Sequence, residues 1–160
     1  MKLYFAAPLF CKSEREFNVS LTSKIEEIGY DVFLPQRDGA EKDKPPYDKM
    51  SNEERRCSIF SIDRDKILEC DVFLIILDGR VPDEGACVEL GIAYTQKYLT
   101  NSTKILIGFH SDIRAAFIGS KLNPMLLIPL DKILNNEEIL IKTLDEILNN
   151  KTAPNIGKMT

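Results

Sequence analysis

The sequence predicts a single doubly wound α/β domain with a mostly parallel five-stranded sheet, of the flavodoxin-like or Rossmann-like kind, and three observations predict it. In Leu68–Leu77, LECDVFLIIL, a β-branched and aromatic run reads as a strand buried on both faces, as strands of parallel sheets are. That run passes through Asp78-Gly79, a short loop, Pro82 and Asp83 into a helical stretch, which makes a strand-to-helix turn. Short apolar runs alternate with helix-period stretches along the rest of the chain.

A chain of 160 residues falls in the size range of one domain and is long enough for a real core. Residues 1–150 are expected to form that domain, and residues 151–160 a frayed tail. The net charge of −4, with Lys and Arg scattered among Asp and Glu, provides no basic stripe, so a nucleic acid polymer is not an expected partner. Lys2 leads at once into a strand-like run rather than a signal peptide, and no apolar run is long enough to span a bilayer. A soluble, cytoplasmic protein without membrane contact is expected.

Taken in order, Lys2–Ala7 reads as the first strand, closing on the small-residue turn Ala6-Ala7-Pro8, which leaves room for a ligand near the backbone. There is no G-x-G-x-x-G, so the dinucleotide fingerprint is absent. Ser13 with Glu16 forms a candidate capping box for a helix Glu14–Ile28, whose Phe17, Leu21, Ile25 and Ile28 make one apolar stripe ended by Gly29. Tyr4 and Phe10 flank the turn, and packing in the core is the ordinary expectation for such aromatics.

Asp31–Leu34 is the second strand, stopped by Pro35. Gln36–Ser51 is charged, broken by proline and without period, which suits either a lid over a pocket or disorder. Gln36 sits just past the strand end, where a side-chain amide can read a base edge through its paired donor and acceptor, with Arg37 and Asp38 as secondary candidates. Asn52–Glu69 is a helix by the spacing of Cys57, Phe60, Ile67 and Leu68, and its Asp63, Arg64 and Asp65 are most simply a solvated face.

Thr103–Phe109 is a fourth strand running into His110-Ser111-Asp112-Ile113-Arg114, either a polar cluster beside the crevice or a solvated loop. Asn123-Pro124-Met125 precedes an expected last strand, Leu126–Leu130. Asn136–Leu148 closes the domain as a helix with Ile139, Leu140, Thr143, Leu144 and Ile147 on one face. The four cysteines, Cys11, Cys57, Cys70 and Cys87, are spread singly and read as free buried thiols. With one histidine, His110, neither a His-rich metal site nor a Cys-His nucleophile is expected, and no cofactor is implied.

The chemistry points to Val81–Gln96, VPDEGACVELGIAYTQ. Between Gly85 and Tyr94 every residue is apolar or small except Glu89, and a helix hydrophobic on all sides is normally a buried one. A lone carboxylate there is either a functional group, since buried carboxylates with shifted pKa values cluster at active sites, or one whose face reaches solvent or a lysine. Asp83 is a candidate helix cap, and Gly85 lets the backbone approach whatever sits above it. In open α/β sheets the ligand crevice lies beyond the carboxyl ends of the strands, within reach of Glu89.

LYFAAPLF, LPQRDG and DEGACVELGIA resemble, in this order, segments of the nucleoside 2-deoxyribosyltransferase family, the last of them its D-x-G-x-x-x-E-x-G-x-A signature. The resemblance implies that Glu89 is the nucleophile, with Asp83 the leading acid of the signature and Tyr4 beside the nucleophile. It further places Phe10 near the base, gives Gln36 the base edge, and makes Asp63, with Asp65 as fallback, the second acid that holds the leaving base. Asn123 and Met125 are implied to reach a neighbouring subunit's sugar site, which makes a homo-oligomer. The segment from Ser111 to Arg114 is similar to the S/T-D-x-R stretch of some members. No counterpart of the family's C-terminal aromatic or carboxylate is found.

These groups suit glycosyl transfer. Cleaving a sugar–base bond builds positive charge on the sugar, which a carboxylate stabilises and then traps as an ester, as in retaining glycosidases. Asp83 and Asp63 would protonate the departing base or hold its proton. A second base attacking the ester gives transfer of the 2-deoxyribosyl group with retention, from a deoxyribonucleoside to a free nucleobase. Water attacking instead makes a hydrolase of nucleosides or nucleoside monophosphates, although Ala6-Ala7-Pro8 supplies no serine or basic group for a phosphate. A nucleotide-sensing module on the same scaffold is the reading outside enzymes.

Overall fold

The computed structural model of the chain describes residues 1–40, 42–112 and 122–152. Its five strands are β1 (Lys2–Ala6), β2 (Asp31–Phe33), β3 (Val72–Ile76), β4 (Ile105–Phe109) and β5 (Lys132–Leu134). Helices α1 (Lys12–Glu27), α2 (Pro35–Asp38), α3 (Asn52–Glu69), α4 (Glu84–Thr100), α5 (Pro124–Leu127) and α6 (Glu137–Thr152) connect and follow them. The strand order is β2-β1-β3-β4-β5, and every pairing is parallel. The fold is therefore the expected doubly wound α/β sheet, with its switch point between β1 and β3.

Alternation along the strands divides the core in two. Leu3 and Phe5 of β1, with Leu74 and Ile76 of β3, pack under Leu21 and Ile25 of α1 and Leu140 and Leu144 of α6. Tyr4 and Ala6 of β1, with Phe73 and Ile75 of β3, pack under Ile67 of α3 and Leu90 and Ala93 of α4. β3 is buried along its whole length, as its uninterrupted apolar run required. Each large side chain so buried contributes roughly 1.5–3 kcal/mol.

Several local expectations are corrected. α1 starts at Lys12 with Cys11 at its cap, not at a Ser13–Glu16 box, because the Glu14 carboxylate reaches back to the backbone N–H groups of Phe10 and Cys11 at 2.9 Å each. The expected strand Leu126–Leu130 is instead the short helix α5 and a turn. Asn123 caps it by accepting from Met125 N, and Pro124 presets the first helical residue, so the last strand falls after Asp131. Helix α2 begins at Pro35, so Gln36–Asp38 are helical rather than part of a lid. A 3₁₀ turn then spans Tyr47–Lys49.

α3 has the expected bounds, fixed by a Ser51–Glu54 capping box, but only Ile67 is buried, and Cys57, Phe60 and Leu68 are exposed. α4 is not enclosed on all sides either: Ala86, Leu90 and Ala93 are buried while Val88 is 60% and Tyr98 70% exposed. Of the four free thiols only Cys70 is buried, Cys87 is half-buried, and Cys11 and Cys57 are exposed. α6 runs on through Thr152, two residues into the stretch read as tail. Among the described residues no helix is long and apolar enough to cross a membrane.

Candidate active site

β1 and α4 meet through one hydrogen bond: the Tyr4 hydroxyl donates to Glu89 Oε1 at 2.8 Å. Tyr4 is fully buried, and its ring stacks between Phe33 (centroids 5.6 Å apart) and Phe73 (5.7 Å). Those two residues are its register partners on the neighbouring strands, so three adjacent strands hold the ring and aim its hydroxyl. Burial, then the nearby Glu89 carboxylate, push the Tyr4 hydroxyl far above the usual phenol range, so it remains a donor.

Glu89 opens into a cavity of about 360 Å³ between α3 and α4, shared with Asp63, Gly85 and the apolar side chains of Phe60, Ile67 and Ile92. Desolvation raises the Glu89 carboxyl to about 8, the Tyr4 hydrogen bond works against that rise, and the charges of Asp63 and Asp83 add to it. Desolvation likewise raises Asp63 to about 6. Asp65 lies exposed in an ion pair with Arg64 at 2.8 Å, so of the two acids on α3 it is Asp63 that shares the cavity with Glu89.

Asp83 is the cap of α4, its Oδ2 accepting from Ala86 N at 2.8 Å. A Cβ on Gly85 would stand 3.1 Å from that same oxygen, so Gly85 leaves room for the capping carboxylate and a bare wall on the cavity. Gln36 lies at the carboxyl end of β2, with both ends of its amide engaged: Oε1 accepts from Asn18 Nδ2 at 3.0 Å, and Nε2 donates to Arg15 O at 3.0 Å. Arg37 turns back to Val32 O, Glu26 and Asp38, while Asp38 Oδ2 accepts from Leu34 N, so both residues hold the turn.

Phe10 is 75% exposed at the edge of the turn after β1. Asn123 and Met125 line a different cavity, of about 380 Å³, with Cys87 and His110. Cys87 and Glu89 are two positions apart on α4, so they point to nearly opposite sides of it, and within one chain Asn123 and Met125 do not meet Glu89. Burial and the nearby Asp83 and Glu84 push the Cys87 thiol up, which is the wrong direction for a nucleophilic thiolate. The loop after β4 is held by Asp78, which accepts from Ser111 Oγ at 2.6 Å and Asp112 N at 2.8 Å. Ile113 and Arg114 lie outside the described residues.

Two polar residues that the sequence reading passed over, Asp78 and Asn18, line a separate hollow of about 300 Å³ with Pro8 and Ser111. Asn18 left a trace, as an amide beside the apolar stripe of α1; Asp78 left none apart from its place after a strand. Among the described residues no three His, Cys, Asp or Glu side chains stand together as a metal site.

The model of the family described as nucleoside 2-deoxyribosyltransferase matches residues 3–145. Among solved structures, a conserved protein from Enterococcus faecalis V583 superposes with a TM-score of 0.71 at 23% identity, over 91% of this chain and 98% of that one. The 2-deoxyribosyltransferase of the psychrotolerant bacterium Bacillus psychrosaccharolyticus gives 0.67 at 21% identity, over 90% and 96%. The CMP N-glycosidase of Clostridium botulinum gives 0.51 at 20% identity, over 92% and 99%. At these identities the likeness is one of fold. No curated protein matches the sequence.

Proposed function

The chain belongs to the nucleoside 2-deoxyribosyltransferase family, and on that premise we propose that it transfers a 2-deoxyribosyl group between nucleobases through a covalent glycosyl-Glu89 intermediate, with retention. The observation that carries this reading is the Tyr4–Glu89 hydrogen bond at the wall of a cavity that also holds Asp63. A carboxylate beside the anomeric carbon stabilises the positive charge that develops as the bond to the base stretches, then closes on it as an ester. Tyr4 fixes which oxygen attacks, since Oε1 is held by the hydroxyl and the other has no partner among the described residues.

The two cavity carboxyls hold one proton between them from about pH 6 to about pH 8. Between those limits Glu89, the more strongly raised of the two, holds the proton most of the time, and the reactive form is the minor one in which it has passed to Asp63, leaving Glu89 ionised and Asp63 able to protonate the departing base. Asp83 holds the first turn of α4 in place, and its charge bears on Glu89. Gln36 reads the base edge and Phe10 covers the base. An incoming base then attacks the ester from the vacated side, and the proton returns to Asp63. Asn123 and Met125 act in the sugar site of a neighbouring copy in a homo-oligomer, for which the 79% exposure of Met125 provides support.

A second reading, hydrolysis of nucleosides or nucleoside monophosphates, draws on one observation: Arg56 lines the Glu89 cavity, beside Arg64 in its pair with Asp65, and brings a cation to an anionic substituent. Incubation with a 2′-deoxynucleoside, with and without a second base, separates these outcomes. Exchange of bases and a trapped sugar ester on Glu89 are expected. Free sugar in the presence of excess base would mark the hydrolase, and no reaction would leave a nucleotide-sensing module.

A further inference from the structure

We propose that Asn18 is a specificity-determining residue that acts through Gln36, locking the sense in which that amide meets a nucleobase. The inference rests on the reading of Gln36 as the group that contacts the base.

Asn18 is 2% exposed, and its Nδ2 donates twice, to Pro8 O at 2.9 Å and to Gln36 Oε1 at 3.0 Å. Gln36 Nε2 donates in turn to Arg15 O at 3.0 Å. The Pro8 and Arg15 carbonyls can only accept, so the nitrogen and oxygen ends of both amides are assigned by their partners. Three elements that border the crevice, the turn after β1, helix α1 and helix α2, are joined through this one buried amide. Turning Gln36 by half a rotation would break two hydrogen bonds, set its oxygen against Arg15 O and bring two NH₂ groups together. Losing both bonds and facing like poles together hold the amide in one sense.

Among the described residues, what remains unpaired on Gln36 is one Nε2 hydrogen and one Oε1 lone pair, in fixed order. Cytosine and adenine carry an exocyclic donor beside a ring acceptor, whereas uracil and hypoxanthine carry an exocyclic acceptor beside a ring donor. An amide free to rotate serves both classes, and a locked one serves one of them. Asn18 therefore sets the preference between amino and oxo bases without touching either.

The test compares kcat/KM for 2′-deoxycytidine and 2′-deoxyuridine as sugar donors in wild type, Asn18→Ala, Gln36→Ala and the double variant. Wild type is expected to prefer one donor by about tenfold or more. Asn18→Ala should bring the ratio towards one while each donor still turns over, and should add nothing in the Gln36→Ala background. A ratio that moves in Gln36→Ala but not in Asn18→Ala overturns the role of Asn18 and leaves that of Gln36 standing. A ratio that moves in neither overturns both, as does a wild type with no reaction on either donor. If Asn18→Ala does not fold, crystals of wild type with cytosine and with uracil decide. Gln36 should keep Asn18 and Arg15 as partners in both, and a rotated Gln36 in either would overturn the proposal.

Discussion

Tyr4 hydroxyl and Glu89 Oε1 stand 2.8 Å apart although 85 positions separate them in the chain. Because the hydroxyl donates to the ionised carboxylate, it favours that form and opposes the rise caused by burial. Tyr4→Phe should leave the stacked ring in place, raise the Glu89 pKa further and lower kcat by about tenfold to a hundredfold. The alkaline limb of the rate profile should move to higher pH. An unchanged profile and rate would show that the hydroxyl has no part in the reaction.

The proposed mechanism needs one proton on the Asp63–Glu89 pair. Below about 6 both carboxyls are protonated and there is no nucleophile; above about 8 both are ionised and the base has no acid. A bell-shaped dependence of kcat/KM with limbs near these values is expected. Asp63→Asn should remove the pairwise repulsion and lower the pKa of Glu89. A rate that stays level from pH 5 to pH 9 would count against the pair.

Glu89→Gln should abolish sugar transfer while stabilising the fold under alkaline conditions. The Glu89 carboxyl is raised from its ordinary 4.5 to about 8, so the native state binds its proton more tightly than the unfolded chain. Stability is then lost as pH rises from 4.5 towards 8, and the lost amount stays lost above that. A neutral amide escapes this, so urea unfolding should find Glu89→Gln more stable at pH 8.5 by a few kcal/mol, at most about 5, with the gap closing near pH 4.5.

Asp83 has a structural task that any acid role must be separated from. Asp83→Ala loses the α4 cap and should cost about 1 kcal/mol, whereas Asp83→Asn keeps a capping oxygen and removes only the charge. If the charge matters to catalysis, both variants should be slower, and most so for substrates whose bases leave poorly. Full activity in Asp83→Asn would assign the residue to the cap alone.

The homo-oligomer can be tested by mixing. Glu89→Ala and a variant carrying Asn123→Ala with Met125→Ala should each be inactive alone, and subunit exchange between them should restore part of the activity by assembling one intact site. Two variants that stay inactive after exchange would mean that Asn123 and Met125 do not reach a neighbour's site.

Much of this protein is legible along the chain because its elements are written in local terms. The unbroken apolar run of β3 marks a strand covered on both faces, the Ser51–Glu54 box sets the start of α3, and a lone Glu89 in an apolar helix singles out the carboxylate that lines a cavity with Asp63. The order of short motifs was enough to suggest the family.

Tertiary structure decided what depends on direction rather than type. That Asp63 and not Asp65 shares the cavity with Glu89 follows from which side of α3 meets α4, and two positions on a helix point to opposite sides. Local periodicity left that choice open. Gln36, Asn18 and Arg15 come together only because parallel pairing of β1 with β2 carries α1 and α2 to the same end of the sheet. Residues distant in sequence acquire their partners from the packing of whole elements, and no local pattern records which side chains those elements will bring face to face.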